Sequence, residues 1–358
     1  MPRILRPAAL AGLALFASAC ADVRYLAHVS LGQLAIARAR EPLDAVIGAP
    51  TTDAKLATRL RLARDARVFA SQRLALPDNR SFTSYVDLHR PYVVWNVFAA
   101  PRYSVDPVLH CFPIAGCVPY RGYFDESTAN AEARSLRAAR DDVFVGGVAA
   151  YSTLGWFADP ILSSMLRWDD DELAGTIFHE LAHQRVYVRD DTAFNESFAP
   201  FVQHEGLREW RAARGLPEAD AHSRAREDDF VRLVLDLRER LRMLYARLHE
   251  AGELDKAKQR EFEDFRERYR HWRDARGGAG HDAVDRVRDA FVAAPLNNAS
   301  LLPFGLYDAW VPAFAALFVQ CGARWPEFYR RVRDISTQPP ALRRETLAGL
   351  RAMHGASR

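Results

Sequence analysis

Three features of the sequence predict an α+β protein that is mainly helical. Apolar residues recur every three or four positions from Asp169 to the C-terminus, which is the helical period. The runs rich in Tyr, Val, Phe and Trp that read as strands lie within residues 81–157, enough for a small β-sheet only. Residues 218–275 carry two long apolar-periodic runs separated at Ala251 and Gly252, the pattern of a long antiparallel helical hairpin.

The elements follow in order. Residues 26–48 and 52–75 read as helices, the second capped by Thr51 or Thr52 and striped by Leu56, Leu60, Leu62, Val68 and Leu74. Pro77, Asp78 and Asn79 break it. Residues 81–88 and 91–99 suggest paired strands, and 117–124 another. Asp125 caps a helix running to about Arg140. Residues 143–157, with Gly146, Gly147 and Gly155, form a further extended segment. Asp169, Asp170 and Asp171 then open a helix at the end of its dipole that favours negative charge.

At 358 residues with 49% hydrophobic and 27% charged side chains, the chain has the make-up of a globular protein with a sizeable core. That excludes intrinsic disorder, collagen and a polytopic membrane protein. Lys+Arg is 49 against Asp+Glu 46, for a net charge of +3. The basic residues are nearly all arginine, with lysine only at Lys55, Lys256 and Lys258, and acids are interleaved throughout. No basic field for nucleic acid is expected.

The N-terminus reads as an address. Arg3 and Arg6 precede an unbroken apolar run, Ala8 to Ala19, too short to span a bilayer and suited to a signal peptide over residues 1–19. The sequence from Ala17 through Ser18 and Ala19 to Cys20 resembles a bacterial lipobox, which implies acylation of Cys20 and a membrane anchor. Ala21, rather than an aspartate, next to the cysteine implies the outer membrane by resemblance to sorted lipoproteins. Ordinary cleavage after Ala19, giving a soluble periplasmic protein, is the alternative. The remaining 20–358 reads as a single domain carrying the 218–275 hairpin as an insertion. In such a compartment Cys111 and Cys117 form either a short-loop disulfide or two buried thiols, and Cys321 a buried free thiol.

The chemistry is concentrated at 179–196. His179 and His183, four residues apart on a helix, lie on one face where both imidazoles reach one zinc ion. Glu180 lies beside them, placed to take a proton from water. This is the H-E-x-x-H arrangement of zinc peptidases. Beyond a turn at 189–192, Glu196 can supply a carboxylate as third ligand, leaving one coordination position open. A helix whose histidines sit in a satisfied polar cluster is the plainer alternative.

HELAH (179–183) followed by NESFA (195–199) resembles the gluzincin peptidases. The longer runs YRGYF (120–124), AYSTLGWF (150–157), IFHELAHQ (177–184) and DTAFNESFA (191–199) resemble a bacterial family of predicted zinc aminopeptidase lipoproteins, over nearly the whole chain. The resemblance implies a gluzincin-like zinc peptidase core. It makes His179, His183 and Glu196 zinc ligands and Glu180 the general base, with a peptide as substrate. It also points to Tyr307 as oxyanion donor, with Tyr151 as rival, although a buried packing role is the plainer reading of either tyrosine. It points as well to an edge strand within 149–157 that pairs with substrate; a core strand there is the alternative. His204 is expected in a supporting or surface position. No Gly-x-Met-Glu-Asn segment is present, so an endopeptidase with the same site stands beside the aminopeptidase expectation. A non-catalytic envelope lipoprotein with a structural zinc is the reading of a different class.

Overall fold

Where the apolar periodicity is unbroken the chain is helical, and the computed structural model describes residues 24–112, 116–218, 221–247, 250–275, 283–304 and 310–356. The expected signal peptide, Cys20 and Tyr307 lie outside these residues.

The first expected helix is two. Helix α1 covers 24–38, and α2 covers Leu43–Gly48; between them Glu41–Pro42 forms a two-residue strand, β1. Pro42 explains the break, since a proline disfavours helical backbone at the residue before it. Helix α3 (Ala54–Gln72) is capped by Asp53, whose carboxylate accepts from the N–H groups of Lys55 and Leu56, rather than by a threonine. Val68 of the expected stripe is exposed.

The expected pairing of 81–88 with 91–99 does not occur. Strand β2 (Ser84–Val86) pairs with β1 and, in parallel, with β8 (Ile161–Leu162), whereas β3 (Val94–Ala100) is the centre of a second sheet. The 117–124 run is also divided, at Pro119: β5 (Gly116–Val118) pairs with β4 (His110–Phe112), and β6 (Tyr120–Tyr123) with β3. Helix α4 (Glu126–Ala138) starts at the Asp125 cap as expected and leads into β7 (Asp142–Val148), which runs antiparallel along β3. Alternation along β3 sends Trp95 and Val97 into a cluster with Ala129 and Ala133 of α4. Val94, Asn96 and Phe98 point to the opposite face, onto the cleft described below.

From Asp170 the chain is helical. Helix α5 (Asp170–Arg185) is capped by Asp169 and followed by α6 (Thr192–Ala213), capped by Asp191. The long hairpin is α7 (Ala221–Arg247) and α8 (Ala251–Asp274); with α9 (Ala283–Ala293) it builds its own cluster from Phe230, Leu237, Leu241, Phe265 and Tyr269. Helices α10 (Val311–Gln320), α11 (Trp325–Ser336) and α12 (Pro340–Ala356) complete the chain.

The largest core lies under α5 and α6. Leu173, Ile177, Phe178 and Leu181 from α5 join Phe194, Phe198 and Phe201 from α6. Rings of α6 pack against α10 and α11: Phe194 to Phe314 at 5.3 Å and Phe201 to Phe328 at 5.1 Å between centroids. Two glycines let the helices close up. A Cβ on Gly206 would meet Leu74 at 2.7 Å and Phe178 at 3.1 Å, and one on Gly175 would meet Leu207 at 2.9 Å and Gln203 at 3.1 Å. That close antiparallel packing sets the α5–α6 register on which the site depends.

Candidate active site

Helix α5 turns one edge toward the second sheet, and along that edge lie His179, Glu180 and His183. The Nε2 atoms of His179 and His183 are 3.1 Å apart. From α6, Glu196 brings its Oε2 to 3.7 Å from His179 Nε2 and its Oε1 to 3.6 Å from His183 Nε2. Among the described residues these three form the group able to hold a metal ion, their ligand atoms all within 4.8 Å of one another. Ligands about 2.0–2.1 Å from a tetrahedral zinc stand about 3.3–3.4 Å apart, so the spacing suits such an ion.

The donor set suits it as well. Burial pushes His179 down to about 4 and His183 well below the usual imidazole value, so both rings are neutral and carry a free lone pair. Burial pushes the Glu196 carboxyl up to about 7, a desolvation cost that a bound cation would offset. The Glu180 carboxyl is raised to about 8, first by burial, then by the charges of Glu196 and Asp159, against a hydrogen bond from Ser152.

Several residues hold this geometry. Gln203, seven residues after Glu196 and so nearly above it on α6, places its Oε1 3.1 Å from His179 Nδ1. With Nδ1–H donating to that oxygen, the lone pair of His179 lies on Nε2, the nitrogen that faces His183 and Glu196. Asn195 is buried; its Oδ1 accepts from Val188 N–H and its Nδ2 donates to Val188 O, both at 2.7 Å. It thereby clamps the start of α6 to the chain leaving α5. The capping Asp191 also receives Arg343 from α12 at 2.8 and 2.7 Å. Asp190 accepts the Cys117 N–H at 2.8 Å, and Cys117 is disulfide-bonded to Cys111. The same turn thus carries the β4–β5 hairpin. Pro200 has no N–H to offer the Glu196 carbonyl four residues back, so the turn that follows Glu196 lacks that helical bond.

The cluster opens on a cleft of about 1120 Å³. The cleft floor is the face of the second sheet bearing Asn96, Phe98, Tyr120, Gly122, Phe144 and Gly146, and one wall is α1. The size is ample for several residues of an extended peptide. The expected strand at 149–157 is absent, either as edge or as core. Strand β7 ends at Val148, and the chain curls around the buried Asp159, whose carboxylate accepts from Thr153 N–H at 3.1 Å and Thr153 Oγ1 at 2.7 Å. Leu154 and Gly155 have left-handed φ values of 56° and 80° there, which a strand does not allow. The edge strands that line the cleft are β6 and β7.

His179, Glu180, His183 and Glu196 therefore meet in one place. Tyr151 lines the same cleft, with its hydroxyl bonded to Gln33 Oε1. His204 is exposed on α6. The buried, free Cys321 lies away from the site, in the core around α10 and α11. Sequence reasoning missed Gln203, the clamp made by Asn195, Asp159, and the cleft tyrosines Tyr120 and Tyr187. A count of seven along α6 would have found Gln203; the others depend on which elements the fold brings together.

A family model described as "Putative aminopeptidase" matches residues 24–347. No curated protein and no solved structure matches the chain.

Proposed function

The chain belongs to the "Putative aminopeptidase" family, and from that premise we propose that it is a zinc-dependent peptidase with a gluzincin-like core, in a lipoprotein anchored through Cys20. The protein then sits on the periplasmic side of the outer membrane, with residues 20–358 as one metallopeptidase domain and 218–275 as its inserted hairpin. The observation that carries the proposal is the convergence of two neutral imidazoles and a carboxylate at 3.1 to 3.7 Å, beside a half-buried glutamate on a large cleft.

His179, His183 and Glu196 hold the ion, and Gln203 orients His179. When bound, zinc supplies Lewis acidity that polarises a carbonyl oxygen and makes water more acidic at neutral pH. Glu180 is ionised while it acts as base. Its carboxylate takes the proton of the attacking water and passes it to the amine nitrogen that leaves. Asn195 and the Asp191–Arg343 pair keep Glu196 in register. For the oxyanion, Tyr307 is the donor implied by resemblance, and Tyr120, Tyr151 and Tyr187 line the cleft.

The family description favours removal of N-terminal residues. One observation favours internal cleavage: among the described cleft residues the only carboxylates are Glu180 and Glu196, both already engaged, so neither is free to hold a substrate ammonium. Zinc-saturated protein incubated with free and N-acetylated peptides, with products read by mass spectrometry, tests the proposal. Stepwise loss from free peptides alone marks an aminopeptidase, and internal fragments from both mark an endopeptidase. Intact peptides throughout reject the proposal.

A further inference from the structure

Helix α1 carries apolar side chains on two faces. Tyr25, Val29 and Ala37 line the cleft, while Leu26 and Leu31 are 49% and 68% exposed. Leu34 does both, lining the cleft and standing 41% exposed. Across the mouth, Phe157 also lines the cleft and is 54% exposed, and its neighbour Trp156 is 67% exposed. The bond from the Tyr151 hydroxyl to Gln33 ties this loop to α1. Leu34 and Phe157 thus stand both on the cleft and in solvent, with exposed Leu26, Leu31 and Trp156 beside them on the same two elements. Exposed Arg24 and Arg38 stand at the two ends of α1.

An exposed apolar group of this extent marks a surface that meets something other than water. Leucines on a helix, an adjacent tryptophan–phenylalanine pair and flanking arginines are what an interfacial membrane contact requires. The apolar groups enter the boundary between headgroups and acyl chains, and the arginines stay with the phosphates.

The sequence fixes the reach. Only Ala21, Asp22 and Val23 separate Cys20 from the first residue of α1. Four residue steps, fully extended, span at most about 14 Å. An acyl chain on Cys20 therefore brings the start of α1 to the bilayer surface, and the exposed leucines with it.

We propose that the rim formed by Leu26, Leu31, Leu34, Trp156 and Phe157 rests on the bilayer that holds Cys20, so that the active-site cleft opens at the membrane surface. The cleft then takes apolar peptide segments held at that surface. This rests on the lipid-anchor and peptidase readings above.

The test uses the full acylated chain, purified from membranes and reconstituted into phosphatidylethanolamine–phosphatidylglycerol vesicles with brominated acyl chains. Bromine quenches tryptophans that enter the acyl boundary. The expected result is partial quenching of the protein emission that falls several-fold in Trp156→Phe. It should also fall in Leu31→Glu, which lies outside the cleft lining and leaves hydrolysis of a soluble peptide unchanged. Equal quenching in wild type and Trp156→Phe overturns the docking. Acylated protein on vesicles with unquenched emission, as when a second copy covers the rim, overturns the docking alone. An N-terminal peptide of unacylated mass, with the protein left in solution, overturns the anchor and the docking together.

Discussion

Replacing Asn195 by alanine separates the clamp that holds Glu196 from the ligand itself. The amide makes two bonds of 2.7 Å to the N–H and C=O of Val188, and Asn195 is 2% exposed. Each lost bond costs about 1 kcal/mol net, rising toward about 2 where the Val188 group finds no water in its place. The metal-free protein should therefore lose about 2–4 kcal/mol of stability, measured by urea unfolding in excess chelator. The start of α6 is then free to shift, and Glu196 with it. Zinc affinity, measured by competition with a chromophoric chelator under native conditions, should fall about 10–100-fold, the range for losing a group that orients a ligand. Asn195→Asp keeps the acceptor for Val188 N–H but not the donor, and should lie between wild type and alanine. An alanine variant with zinc affinity within about twofold of wild type and metal-free stability within about 0.5 kcal/mol would refute the clamp.

Gln203→Leu removes the partner of His179 Nδ1 and should lower zinc affinity about 10–100-fold with an unchanged circular dichroism spectrum. Cys111→Ser with Cys117→Ser opens a short loop closed over a separation of 6 residues; the loop-entropy relation gives a loss of about 2 kcal/mol, read by denaturant titration. Asp125 caps α4, with its carboxyl held down to about 2 by Ser127 and Thr128. The folded value lies below the unfolded value of about 3.9, so the cap contributes fully above about pH 4 and is lost as pH falls through about 2. Asp125→Ala should cost about 1 kcal/mol at neutral pH and flatten the wild-type loss of stability between about pH 4 and pH 2, followed by thermal melting.

The local chemistry of the site was legible because it depends on spacing along single helices. His179 and His183 are four apart, Asp169 caps their helix, and the apolar runs of α7 and α8 announce a hairpin. Glu196 was legible as a carboxylate soon after a turn, and α5 and α6 do bring it to the histidines. What failed depends on partners distant in sequence. Strand β2 found β1 and β8 instead of its neighbour β3, because hydrophobic pattern does not name a pairing partner. The 149–157 run has strand composition, yet the carboxylate of Asp159 captures its backbone and side chains into a turn. His204 is the histidine of α6, but it is exposed. Gln203 is the residue that faces His179, because seven residues, and not eight, return α6 to the face of Glu196.

In the proposed function Glu180 acts as base at a zinc held by three other side chains. Zinc content and peptide hydrolysis, measured together on wild type and Glu180→Gln, test that most directly. One zinc per chain is expected in both proteins, with a rate at least about 100-fold lower in the variant. A Glu180→Gln protein that retains zinc and cleaves at the wild-type rate would contradict that role, as would a zinc-loaded wild type that cleaves nothing.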